Sequence, residues 1–121
     1  MAPFTRTPWG LMAAAALIIA AGPALAHASL VRANPARDAT VAPLRTVQLA
    51  FSAHIETRFS TVQVVSAAGQ TLNGESEVGS DNRTLTATLD RPLAPGAYRV
   101  EWRIVSADGH RMQGDYGFMV R

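Results

Sequence analysis

The chain has 121 residues, no cysteine and no lysine, and a formal net charge of +2 from eleven basic and nine acidic side chains. Without cysteine there is neither a disulfide framework nor a thiolate metal ligand, so an exported domain of this composition rests on packing alone. All eleven basic residues are arginines, which stay charged at any pH a protein meets and hold the pI near 9.9. They are spread singly along the chain, and with no basic stripe interleaved with aromatics the composition argues against a nucleic-acid partner.

The N-terminus reads as an export signal rather than as fold. Arg6 supplies the positive flank, Leu11 to Ala21 is an apolar run, and Ala24-Leu25-Ala26 ends in small residues at a cleavage position. The run is about half of the ~20 residues a membrane-spanning helix needs. An Arg-Arg pair is absent, which favours Sec-type export. Cleavage after Ala26 divides the chain into a signal peptide, 1–26, and one exported mature domain, 27–121. Because Arg6 is the only charge in the leader, the mature domain carries +1.

The mature chain is dominated by strand patterns. Thr46 to Ser52 alternates, with Val47, Leu49 and Phe51 on one face, and Thr61 to Val65 repeats the period with Val62 and Val64. Arg83 to Leu89 points Leu85, Ala87 and Leu89 inward. In Tyr98 to Ile104 the residues Tyr98, Val100, Trp102 and Ile104 share a face, while Arg99, Glu101 and Arg103 look outward. Asp115 to Val120 closes the chain with Tyr116, Phe118 and Val120 aligned. Turn signals fall at Asn34-Pro35, Ala67-Ala68-Gly69, Gly79 to Asn82 and Pro95-Gly96. No segment holds a 3.6-residue apolar period, so six to eight short strands predict an all-β antiparallel sandwich or barrel.

Chemistry concentrates at the two ends of this domain. Cleavage after Ala26 makes His27 the first residue, with a free α-amine and an imidazole that can close a chelate ring on one metal ion. Nitrogen-rich tetragonal coordination of that kind suits Cu(II). Near the C-terminus, Ser106-Ala107-Asp108-Gly109-His110 offers a carboxylate and a second imidazole, and Gly109 lets the backbone turn so that both can face one point. The third histidine, His54, follows a strand and reads as a solvated or turn-packing residue, as does Glu56. Met112 and Met119 lack the clustered spacing of a soft Cu(I) site. Trp102 has a core period.

These motifs together resemble the CopC domain of periplasmic copper-resistance proteins, including the YobA-like members. The carriers are His27 with Ser29-Leu30, Asn34-Pro35-Ala36, Leu49 to Ser52, Arg58-Phe59-Ser60, Leu93 to Val100 and Trp102 to His110. The resemblance implies an immunoglobulin-like, seven-stranded Greek-key β-sandwich or barrel that binds one Cu(II) per mature chain. Carried onto this sequence, His27 supplies its amine and an imidazole nitrogen (a histidine brace), His110 a third nitrogen and Asp108 an oxygen. Two departures stand out. Ala53 occupies a position where many members have Glu, which leaves open whether His54 contributes in its place, and Asp-Gly-His replaces the commoner Asp-Thr-His.

The expected function is therefore sequestration or delivery of Cu(II) by a monomeric, non-enzymatic periplasmic protein. A CopD-type inner-membrane copper transporter, on a separate polypeptide, is the partner the resemblance implies. The alternative is a small copper monooxygenase using the same brace, against which stand the 95-residue domain and the lack of an exposed aromatic row. An unperturbed α-amine titrates at about 7.7–8.0 and an imidazole at about 6.5, so copper must displace protons and affinity should fall toward pH 5.

Overall fold

In the computed structural model, which describes Pro3 and residues 27–121, the alternating segments pair into two four-stranded sheets. The expected signal peptide, 1–26, otherwise lies outside the described residues. Chain order is β1 (Leu30–Asn34), β2 (Thr40–Val41), β3 (Thr46–Phe51), a single 3₁₀ turn (Thr57–Phe59), β4 (Thr61–Ser66), β5 (Asn73–Val78), β6 (Thr84–Leu89), β7 (Gly96–Val105) and β8 (Arg111–Val120). One sheet runs β1-β3-β6-β5 and the other β2-β8-β7-β4. Apart from a two-residue parallel contact of β2 with β8, every pairing is antiparallel. Seven longer strands plus the β2 edge give the strand order of an immunoglobulin-like Greek-key sandwich.

The predicted inward faces close on one another. Val47, Leu49 and Phe51 of β3 and Leu85, Ala87 and Leu89 of β6 are buried against Val62 and Val64 of β4, Val100, Trp102 and Ile104 of β7, and Tyr116, Phe118 and Val120 of β8. Phe51 meets Trp102 edge to face at a centroid distance of 5.3 Å, a geometry that adds roughly 0.5–1.5 kcal/mol beyond burial. Two tyrosines fasten corners. Tyr98 donates its hydroxyl to the Ala94 carbonyl four residues upstream at 2.6 Å, the tyrosine corner of this architecture. Tyr116 donates to the Pro35 carbonyl at 2.7 Å, tying β8 to the connection after β1.

Three strands did not stand out in the sequence: β1, β2 and β5. All three are sheet edges, where one side faces solvent and the apolar alternation fades. In β5, Asn-Gly-Glu-Ser-Glu-Val has no buried residue. Its Asn73 and Ser76 side chains instead bond the Val62 and Val64 backbone across the sandwich edge. The last strand also begins earlier than its apolar pattern, at Arg111, because ten consecutive residues pair with β7. Met119 lies within β8 with its side chain turned outward, 46% exposed rather than packed in the core.

The topology brings two distant segments to one end of the sandwich. The segment before β1 enters beside the end of β3, where the Ser52 amide donates to the Ser29 carbonyl at 2.8 Å. The β7–β8 hairpin turns at Ser106–His110 on that same end, next to the strand-like bridge between Ile55 and Ser106.

Candidate metal centre

The His27 end is held by its neighbours on both sides of the chain. Ala28 is fully buried and anchors the segment to the core. The Ser52 hydroxyl accepts the Ser29 amide at 2.9 Å and donates to the His27 carbonyl at 3.4 Å. His27 is thus positioned although it lies outside any strand.

The hairpin turn is built with similar economy. The Gly109 amide donates to the Ser106 carbonyl at 2.8 Å and the Ser106 amide to the His110 carbonyl at 2.9 Å. Gly109 adopts φ of 87°, a left-handed conformation open to glycine at little cost. From outside, the His54 carbonyl accepts the Ala107 amide at 3.1 Å, and the Glu56 amide donates to the Val105 carbonyl at 2.7 Å. His54 therefore serves the site with its backbone. Its imidazole is not among the converging groups, and Ala53 packs half-buried against the core.

Three side chains meet at this end: His27, Asp108 and His110. His27 Nε2 lies 3.1 Å from His110 Nδ1 and 3.3 Å from Asp108 Oδ2, and His110 Nδ1 lies 2.8 Å from Asp108 Oδ2. The two imidazoles stand nearly perpendicular, at 80°, with centroids 4.5 Å apart. Nothing in the sequence pattern singles out Ser106. It is completely buried, and its hydroxyl donates to Asp108 Oδ1. The His110 amide donates to that same oxygen at 3.2 Å. Oδ1 is thus fully engaged, whereas Oδ2 is buried without a hydrogen-bond partner among the described residues and faces the two imidazole nitrogens. The Ser106 hydroxyl, helped by His110, holds the Asp108 carboxyl down to about 2 from an ordinary 3.8 against the opposing effect of desolvation, so the group is an anion throughout the physiological range.

The spacing fits a small metal ion. Ligands bound at ~2.0–2.1 Å stand about 2.8–3.0 Å apart at a right angle and about 3.3–3.4 Å apart at the tetrahedral angle. The three observed separations, 2.8, 3.1 and 3.3 Å, span that interval. A circle through three atoms so spaced has a radius of about 1.8 Å, so a point ~2.0 Å from all three exists. Two nitrogens and a carboxylate oxygen suit borderline divalent ions such as Cu(II) or Zn(II). Of His27 it is the far ring nitrogen, Nε2, that faces the cluster. A chelate ring through the residue's own α-nitrogen would use Nδ1.

Fold and cluster define an immunoglobulin-like β-sandwich with two histidines and one aspartate gathered at one end. Residues 30–121 match the CopC domain family. Across 96% of its length the chain is 32% identical to copper resistance protein C of Pseudomonas syringae pv. tomato, covering 97% of that protein. It is 35% identical to protein YobA of Escherichia coli K12 over 79% of the chain and 80% of YobA. Among solved structures, CopC from Methylosinus trichosporium OB3b superposes with a TM-score of 0.72 at 32% identity, covering 78% of this chain and 93% of that one. PcoC, a methionine-rich copper resistance protein from Escherichia coli, gives 0.70 at 31% identity, covering 79% and 100%. The chain belongs to the CopC domain family.

Proposed function

We propose that this protein binds one Cu(II) per mature chain in the periplasm and serves copper resistance or homeostasis by sequestering or delivering the ion. The observation that carries this reading is the convergence of His27 Nε2, His110 Nδ1 and the buried Asp108 Oδ2 within 3.3 Å of one another. Relatives named for copper resistance supply the identity of the ion.

Oxidation state follows from the donors. Cysteine is absent, and of the described methionines Met112 packs against the core while Met119 points out. No thioether cluster forms among the described residues, and nitrogen and carboxylate donors favour Cu(II) over Cu(I). Removal of residues 1–26 adds the His27 α-amine. For that amine and the same imidazole to bind together, the ring turns about its Cβ–Cγ bond to present Nδ1, and His110 and Asp108 complete the set. The protein acts as a monomer and a carrier rather than an enzyme, and a CopD-type membrane transporter is the partner proposed to exchange copper with it.

Titration of the exported protein with Cu(II), followed by electron paramagnetic resonance, tests the proposal. One equivalent of nitrogen-rich type 2 copper is expected. His27→Ala and His110→Ala should each weaken binding by more than the roughly 10–100-fold that loss of an outer-shell contact costs. Unchanged affinity in either variant would falsify this ligand set.

A further inference from the structure

Alongside the metal end, a groove of about 500 Å³ runs between the 3₁₀ turn and the β7–β8 hairpin. Arg58, Arg103 and Arg111 line it, with Phe59, Val105 and Met112 among the apolar residues beside them, and no carboxylate contributes to its walls. The rest of the molecule treats several of its arginines differently. Arg99 pairs with Asp115 and Glu101, and Arg37, Arg45 and Arg121 donate to backbone carbonyls. Arg58, Arg103 and Arg111 have no ion pair among the described residues. Arg58 lies instead over the Phe59 ring, 5.5 Å from its centroid, and Phe59 is 61% exposed.

Three guanidiniums without counter-charges around one concavity repel each other, and an exposed phenylalanine costs hydration. Both are relieved by a ligand that is anionic and partly apolar. We propose that this groove docks an acidic segment of a partner protein, with carboxylates on Arg58, Arg103 and Arg111 and an apolar side chain against Phe59 and Met112. Arginine forks match carboxylates bidentately, and aromatic and arginine residues dominate protein contacts. A flat bilayer touches convex ground rather than the walls of a groove, and a small inorganic anion leaves the apolar lining uncovered. Arg111 follows His110 directly, and Val105 precedes Ser106. A segment seated here lies against the hairpin that carries Asp108 and His110, where a partner exchanging the bound ion has to stand.

The test uses metal-free exported protein, so its outcome is separate from that of copper binding. The probe is a short synthetic peptide with several aspartates around one leucine, added to ¹⁵N-labelled protein and followed by amide shifts. Saturable changes are expected at Arg58–Phe59, Arg103–Val105 and Arg111–Gln113. The double variant Arg103→Glu/Arg111→Glu should weaken binding by more than about tenfold, and Phe59→Ala by a smaller factor, with spectra elsewhere reporting an intact fold. Raising salt from about 0.1 M to 1 M, which shortens the screening length from ~10 to ~3 Å, should weaken it as well. Absence of shifts in the groove, or equal affinity in the double variant, overturns the proposal. So does a stronger response of the same amides to phosphatidylglycerol vesicles or to inorganic phosphate than to the peptide.

Discussion

A carboxylate that shares a short turn with an imidazole has two oxygens to place, and in this turn the placement is made chiefly by a residue that is not itself a proposed ligand. The Ser106 hydroxyl and the His110 amide occupy Asp108 Oδ1, which leaves Oδ2 to face the histidines. Replacing Ser106 with alanine frees the carboxylate to rotate and removes the donor that chiefly depresses its pKa. Cu(II) affinity of Ser106→Ala should drop about 10–100-fold, as for other outer-shell losses, with altered paramagnetic resonance parameters. A spectrum and affinity identical to those of the parent would show that Ser106 is only structural. The three candidate ligands were legible from residue type and from the leader. Ser106 was not, because its contribution depends on hydrogen-bond direction inside a turn, and a serine in sequence carries no such direction. His54 was equally illegible, since what it gives the site is a backbone carbonyl.

Among the elements, β7 and β8 carry the longest pairing in the molecule, and their contact is fitted around one absent side chain. A Cβ on Gly114 would lie 2.5 Å from Trp102 Cζ2 and 2.7 Å from its Cε2, so the indole fills the space over that glycine. Trp102 is in turn held by Phe51 from the opposite sheet and cannot retreat far. Gly114→Ala should therefore destabilise the fold by about 1–3 kcal/mol, the usual cost of overpacking, measurable as a shift in the urea midpoint at constant slope. No loss of stability would mean that the ring has room to move. The central strands β3, β6, β7 and β8 were legible because both neighbours and the opposite sheet impose a two-residue period on them, and the edge strand β4 because Val62 and Val64 are fully buried. The other edges, β1, β2 and β5, bury no residue fully and so carry no such signal.

For the molecule as a whole, the tie between Tyr116 and Pro35 sets an upper pH limit on stability. Burial pushes the Tyr116 phenol up to about 12 from an ordinary 10.0, with Arg37 opposing. An acid whose folded pKa is raised favours folding while it stays protonated. Its contribution is complete below about pH 10 and is lost as pH rises toward 12. Stability measured by denaturant should fall across that window, and the Tyr116 share of the fall should be missing in Tyr116→Phe. At neutral pH that variant should lose about 1–3 kcal/mol, because the Pro35 carbonyl is left without its donor. A parent and a variant with the same alkaline slope would remove Tyr116 from this role.

The direction of β8 has a practical consequence. The strand starts beside His110 and runs ten residues to Val120, roughly 30 Å at the rise of an extended chain. Arg121 therefore emerges at the pole opposite His27. An affinity handle or surface tether belongs at Arg121, where it stands the molecule upright with its histidine end facing the solution. The same handle placed before His27 would cap the amine and crowd the histidine pole.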